Sequence, residues 1–508
     1  MIDRRRFLQA LAAAGVSRAL PGCAQAAPRF SSDPFALGVA SGYPHAGGME
    51  LCTRLVGELP PVGLPVRWDI AADESMSKLV ASGSAVAQPD WAHSVRVEAK
   101  GLEPDRWYWY RFMAGDAVSP IGRTRTAPRT EAAVERLRFA FASCQQYEQG
   151  FFGAHRHIAA DAPDLVAFLG DYIYESSWGK EHVRKHDAGE PTTLEDYRRR
   201  YALYKADPEL QAAHAACPWV VTWDDHEVEN DYADDRPEDG RPREAFLARR
   251  AAAYRAFYEH MPLPERMAPR GPDLRLHTQL GWGQLGRFYL LDGRQYRTWQ
   301  SCPRRGRGGS NTVDVEKCEH MFDPRRSLLG PAQERWLEGA LAESGARWNF
   351  LAQQTRMAQF DQKPGPGRRA WTDGWDGYPA ARERLLGFLA ERRIANPVVL
   401  GGDVHQFNVA DLKRDFDDPA SPVVASEFVG TSITSQGWPQ ERLNTFLPDN
   451  PHMKLVESRF RGYVRVDVTA REARFDLRAM ETVKEPGAGC RTHASFAVQD
   501  RRAGAERA

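Results

Sequence analysis

Four short apolar runs in this chain each stop on side chains able to hold a metal ion, and that recurrence constrains the fold more than any other feature. Leu165 to Leu169 leads into Gly170, Asp171 and Tyr174, and Leu137 to Ala142 leads into Ser143 and Cys144. Trp219 to Trp223 leads into Asp224, Asp225 and His226, and Pro397 to Leu400 leads into Gly401, Gly402, Asp403 and His405. Short apolar runs bounded by turn residues read as fully buried strands of an α/β sheet. In such sheets ligands bind beyond the carboxyl ends of the strands. One Gly-Asp after a strand is ordinary turn chemistry. The same kind of ending on every one of these strands points to a metal centre at one sheet edge.

The ligand types narrow the chemistry. Cys144, Asp171, Tyr174 and His405 offer a thiolate, a carboxylate, a phenolate and an imidazole. Asp171 and Tyr174 are close enough in sequence for one turn of loop to aim both oxygens at one point, and anionic oxygens suit a hard trivalent cation such as Fe³⁺. Asp171 has a second oxygen with which to bridge to another cation. Asp225 and Asp403, with Asn230, supply further oxygens suited to Ca²⁺, Mg²⁺ or Mn²⁺. Two cations about 3.5–4 Å apart could activate water on one side and hold a phosphate on the other. Asp225 and His226 form the candidate catalytic pair, with His226 protonating a leaving alcohol or orienting the phosphate. Each has a plainer alternative: a buried structural histidine at position 226, and cap or turn chemistry at Asp225 and Asn230.

At 508 residues the chain is too long for one ordinary domain. Its 68 basic and 68 acidic residues cancel, so composition gives no reason to expect nucleic acid or an anionic membrane as partner. Residues 1–27 read as a leader. Arg4-Arg5-Arg6-Phe7-Leu8 precedes an apolar stretch too short to span a bilayer, which resembles a twin-arginine export signal and puts the mature chain in the periplasm or outside the cell. Leu20-Pro-Gly-Cys23 also resembles a lipidation motif, although Pro21 is unusual there.

Residues 32–128 read as an all-β sandwich of fibronectin or immunoglobulin type, with Tyr108 and Tyr110 as core and corner aromatics. A polar stretch, Arg123 to Glu131, marks the boundary. Residues 135–485 then alternate strands with amphipathic helices. Helices are expected from Thr192, with Glu195 completing a capping box, and over 243–260, 331–343 and 380–392. Two Gly/Pro-rich segments, 304–311 and 363–378, are long loops and candidate lids. Cys302 and Cys318 bracket the first and could staple it in an oxidising compartment.

Taken together, Ala142-Ser-Cys-Gln145, Gly170-Asp-Tyr-Ile-Tyr174, Trp223-Asp-Asp-His-Glu-Val-Glu-Asn230, Leu291-Asp-x-Arg-x-Tyr-Arg297 and Gly402-Asp-Val-His405 resemble the PhoD-type alkaline phosphatases. The resemblance covers nearly the whole chain. It implies a two-sheet α/β metallophosphoesterase sandwich flanked by helices behind the N-terminal β-domain. It also implies an exported phosphomonoesterase and phosphodiesterase with Fe³⁺ and Ca²⁺, in which metal-activated oxygen attacks phosphorus. By that likeness Cys144, Asp171, Tyr174 and His405 hold the iron, and Asp171, Asp225 and Asp403, with Asn230, the calcium. The Asp-x-x-Tyr pair is similar to that of purple acid phosphatases. Small-molecule or lipid phosphate esters are the expected substrates, and Arg294 is the candidate phosphate contact. Two alternatives stay open: a phospholipase D-like or nucleotide phosphodiesterase using the same site, and a non-catalytic surface protein whose metals are structural.

Overall fold

A computed structural model describes residues 29–508; the leader and Cys23 lie outside the described residues. Two sheets face each other at its centre. One has ten strands, in the spatial order Glu506–Arg507, Cys490–Gln499, Glu472–Met480, Gly462–Thr469, Arg136–Ala142, Leu165–Leu169, Trp219–Thr222, Val39–His45, Gly48–Arg54 and Ser94–Ala99. The other has seven: Thr278–Trp282, Gly286–Leu290, Trp348–Ala352, Pro397–Gly401, Val423–Gly430, Phe407–Lys413 and Met453–Glu457.

Arg136–Ala142, Leu165–Leu169 and Trp219–Thr222 are mutually parallel, as are the four strands from Gly286–Leu290 to Val423–Gly430 in the facing sheet. Parallel strands need both faces covered, which is why these segments carry unbroken apolar runs and are buried residue by residue. Aromatic rings weld the two sheets. Phe139 meets Phe288 and Phe350 edge-on at 5.0 and 5.1 Å, and Phe428 stacks on Phe475 at 3.7 Å. Truncating Phe139 to Ala would cost about 3–5 kcal/mol, since neighbours this tightly packed cannot collapse into the space.

Helices Gly153–Ala160, Leu194–Lys205, Pro208–Ala216 and Arg243–His260 accompany the ten-stranded sheet. Pro331–Ala342 and Pro379–Glu391 cover the outer face of the seven-stranded one. The capping box falls one residue later than the sequence indicated. Thr193, extended at φ −104°, accepts from the Asp196 N–H while Asp196 accepts from the Thr193 N–H, so Thr192 and Glu195 are flanking residues. Cys302 and Cys318 are joined in a disulfide, and the two Gly/Pro-rich loops are tied together by pairing of Thr312–Asp314 with Arg369–Trp371.

The N-terminal sandwich packs a five-stranded sheet, Leu64–Ala71 to Gly122–Arg125, over the strands Val39–His45, Gly48–Arg54 and Ser94–Ala99. Tyr108 and Tyr110 are buried, and Tyr108 Oη accepts from the Glu103 N–H at 3.0 Å, the corner bond that its sequence position implies. The inner sheet of this sandwich does not stop at the polar boundary segment. Val39–His45 runs parallel to Trp219–Thr222, bridged at Gly42 and Trp219, so one sheet spans both halves of the chain. No described helix is long and apolar enough to cross a membrane.

Candidate metal centre

The candidate ligands sit where the backbone leaves the strands, and at three of the four strand ends it leaves in one way. Cys144, Asp171, Asp403 and His405 all adopt left-handed conformations, with φ of 60°, 56°, 63° and 54°. Such backbone costs a non-glycine residue on the order of 1–3 kcal/mol and persists only where the surroundings over-determine it. Here they do. The Cys144 N–H donates to the Gly170 carbonyl and the Gln145 N–H to the Asp171 carbonyl, both at 3.1 Å. The buried Glu227 carboxylate accepts from the N–H groups of Asp171 (3.2 Å), Asp224 (2.8 Å) and Tyr172, binding two strand ends to one anion. Glycine is required at two of the turns. A Cβ on Gly170, at φ 96°, would lie 2.6 Å from the Asp224 Cβ, and one on Gly402 would lie 2.7 Å from the Ser143 Cβ.

Both sheets contribute to the result. Ligand atoms of Cys144, Asp171 and His405 lie within 4.8 Å of one another. Tyr174 Oη joins them, 2.8 Å from Asp171 Oδ2 and 3.2 Å from His405 Nε2. The His405 Nδ1 lies 2.8 Å from the Gln436 carbonyl, which takes its proton and leaves the Nε2 lone pair facing the cluster. Trp178 stacks flat on the same ring at 5.6 Å. Ser435 Oγ lies 2.8 Å from both Tyr174 Oη and the Cys144 carbonyl.

The electrostatics are those of a cation-binding cluster considered without its cation. Burial, and then the charge of Asp171, push the Cys144 thiol well above its usual range. Burial raises Asp171, and burial with Asp171 and Cys144 raises Tyr174. His405 is pushed down to about 3 by burial, so its imidazole is neutral. Asp171 Oδ1 is buried with no partner. A buried polar atom left unpaired is costly; a cation would reverse the upward shifts of Cys144, Asp171 and Tyr174 and would bind the already neutral His405, so the donor set fits a metal ion.

Asp171 also belongs to a second group, with Asp225 and His226, whose ligand atoms again lie within 4.8 Å of one another. Burial opposes ionisation of Asp225, but Arg294 and His226 outweigh it and hold the carboxyl below its usual range. Asp225 Oδ2 accepts from the Asp231 N–H at 2.7 Å. His226 Nδ1 is 2.7 Å from Glu175 Oε2, and its ring lies 4.2 Å from that of Tyr174. Burial disfavours charge on His226; Glu175, Asp225 and Asp171 overcome this and hold it as imidazolium, well above the ordinary histidine range.

The remaining sequence candidates fall around these two groups. Asp403 is half-buried, and its Oδ2 has no partner; burial and the neighbouring Asp224 hold its carboxyl well above the usual range. Asn230 turns its side-chain amide to Glu238 at 3.1 Å while its backbone N–H donates to Glu175 at 2.9 Å. Arg294 corrects the expectation of a phosphate contact. Its guanidinium is 2 % exposed, donates through Nε to Asp224, lies 2.7 Å from Asp373 through Nη2, and approaches Asp225 at 3.5 Å. With carboxylates on its edges it has no face to offer a substrate, and it steadies Asp225 from behind. Sequence reasoning passed over Glu175, Glu227, Asp373 and Ser435. The first two sit inside or beside recognised motifs and carried a signal; Asp373 and Ser435 lie in irregular loops and carried none.

Residues 139–477 match the PhoD-like phosphatase family and residues 22–128 its N-terminal domain. The chain is 46% identical over 521 residues to alkaline phosphatase D of Bacillus subtilis (strain 168), covering 98% of this chain and 88% of that one. It superposes on a solved structure of PhoD with a TM-score of 0.89 at 45% identity, covering 95% of this chain and 93% of that one. On these three matches, and on a fold of two facing sheets with the candidate ligands at their shared edge, the chain belongs to the PhoD-like phosphatases.

Proposed function

We propose that this phosphoric ester hydrolase is an exported phosphatase and phosphodiesterase whose centre holds Fe³⁺ on Cys144, Asp171, Tyr174 and His405, and Ca²⁺ on Asp171, Asp225 and Asp403. The observation that carries the proposal is the position of Asp171, the one carboxylate shared by both ligand groups. Anionic thiolate, phenolate and carboxylate donors favour the trivalent ion at the first group, and the carboxylate oxygens of Asp171, Asp225 and Asp403 favour a hard divalent ion beside it. When bound, such cations would polarise phosphoryl oxygens and lower the pKa of water.

The chain's own residues supply the rest. His226, kept protonated by Glu175, is placed to give its proton to the departing alcohol, and Glu175 holds the ring in orientation. Arg294 and the Asp231 N–H fix the two oxygens of Asp225. The twin-arginine leader supports export of the folded protein, and the Cys302–Cys318 disulfide fits an oxidising compartment. Small-molecule or lipid phosphate esters are the substrates this reading names.

The test is metal analysis and phosphate release on one purified sample, before and after chelation and calcium re-addition. Iron near one per chain, with activity lost to chelation and restored by calcium, supports the reading. Full activity with magnesium or zinc alone would overturn the roles given to Cys144 and Tyr174.

A further inference from the structure

The outer sheet of the N-terminal sandwich ends on the strand Leu79–Ala87, whose single strand neighbour among the described residues is Leu64–Ala71. Its other side presents a row of backbone N–H and C=O groups with no strand beside it. Natural proteins blunt such edges with shortness, lysine or proline. This strand has nine residues, Leu-Val-Ala-Ser-Gly-Ser-Ala-Val-Ala, and none of them is charged or proline. A bulge is present but confined to the strand's start: the register slips between Ile70 and Ala71, opposite Val80, and is regular from Ala81 to Ala87.

The strand reads almost identically in both directions about Gly83. Val80 mirrors Val86, Ala81 mirrors Ala85, and Ser82 mirrors Ser84. Side chains alternate across a strand. Ala81 and Ala85 pack toward the sandwich core, while Val80, Ser82, Ser84 and Val86 face outward and are exposed. Val80 and Val86 are 49% and 52% exposed, and Val62, beside Val86 through Gly63, is 59% exposed. Antiparallel pairing with a second copy about a two-fold axis at Gly83 sets Val80 against Val86, and Ser82 against Ser84, at both ends at once. Charge also matches. Arg67 pairs with Ser84 and Asp69 with Ser82 on the adjoining strand, so the two-fold brings the row of Arg67 onto the row of Asp69 and opposes no like charges.

We propose that Leu79–Ala87 is a dimerisation edge, through which two copies of this chain join their outer sheets into one continuous sheet. The contact is isologous, as two-fold interfaces are, and therefore closes at two copies. A single edge pairing lies at the small end of specific interfaces, below about 1,200 Å², so the dimer is concentration-dependent. No ligand of the metal centre takes part.

Sedimentation velocity of the full mature protein across a dilution series tests this directly. A monomer–dimer equilibrium is expected, weakened about tenfold or more by Val86→Lys, since each substitution acts twice per dimer; phosphatase activity of this variant, unchanged, reports that it is folded. Oxidation of the double variant Ser82→Cys/Ser84→Cys should trap a covalent dimer, because each cysteine then faces its counterpart. The single variant Ser82→Cys should not, because Ser82 faces Ser84. A monomer at every concentration would overturn the proposal. So would a dimer insensitive to Val86→Lys, or cross-linking as strong in the single variant as in the double, which would place the contact elsewhere or in another register.

Discussion

The two ligand groups that share Asp171 are built on opposite plans. Around Cys144, Tyr174 and His405 the supporting contacts are neutral: a carbonyl on His405, a serine hydroxyl on Tyr174, an indole stacked on the imidazole. Around Asp225 and His226 they are ions: Glu175 on the histidine, Arg294 and Asp373 behind the carboxylate. The direct contacts of the first group are neutral, and the one fixed positive charge felt by both Cys144 and His405 is the buried Arg461 guanidinium, which bonds to the Ser435 carbonyl rather than to a ligand, so the group's anions depend mainly on their cation for neutrality. A group framed by ion pairs already has partial balance, so its cation adds less. The first should therefore bind its metal tightly and the second exchangeably, although a single carboxylate belongs to both.

The sharpest way to break that contrast is at the shared residue. Asp171→Asn should lose metal from both groups and reduce turnover to background, whereas Asp225→Asn should keep the iron and lose only the calcium response. Metal content by mass spectrometry beside phosphate release distinguishes the two, and iron loss from Asp225→Asn would erase the difference. Next in size is His226→Gln, with an expected fall in kcat of about 10²–10⁴-fold at unchanged metal content, the range for loss of a general acid.

Ser435→Ala removes the hydroxyl on Tyr174 and should weaken iron retention by about 10–100-fold under chelator challenge, as supporting contacts to ligands do. Glu175→Gln is subtler. Glu175, in direct contact, raises the pKa of His226, so the imidazolium is lost as pH rises through that raised pKa. Removing the carboxylate charge lowers the pKa, and the alkaline limb of kcat should move to lower pH by about one to three units. A limb that stays in place, measured on fully metal-loaded enzyme, would show that another group sets it.

The sequence was most legible where a buried strand runs straight into its ligand. Leu165 to Tyr174 carries strand, turn glycine and two donors in ten consecutive residues, and local pattern suffices to read them. The first ligand group assembles from four such positions, and the structure brings all of them together. Contacts set by long-range packing were not legible. Arg294 was a candidate phosphate contact with no motif to place its side chain. Only the fold reveals Asp373, 79 positions further along the chain, occupying its guanidinium. The capping box slipped by one for a simpler reason: two threonines in a row, Thr192 and Thr193, each have an acidic residue three positions on, and pattern alone does not choose between them.

The bridge between Gly42 and Trp219 gives the N-terminal sandwich a mechanical meaning. Trp219–Thr222 is the strand whose end bears Asp225 and His226, and Val39–His45 closes its open flank. Cutting the chain after residue 128 would leave that strand as a raw margin directly beneath the second ligand group, free to fray or to capture a foreign strand. The sandwich thus works as a buttress on the wall that carries the site, and the two parts of the chain wear out or hold together as one.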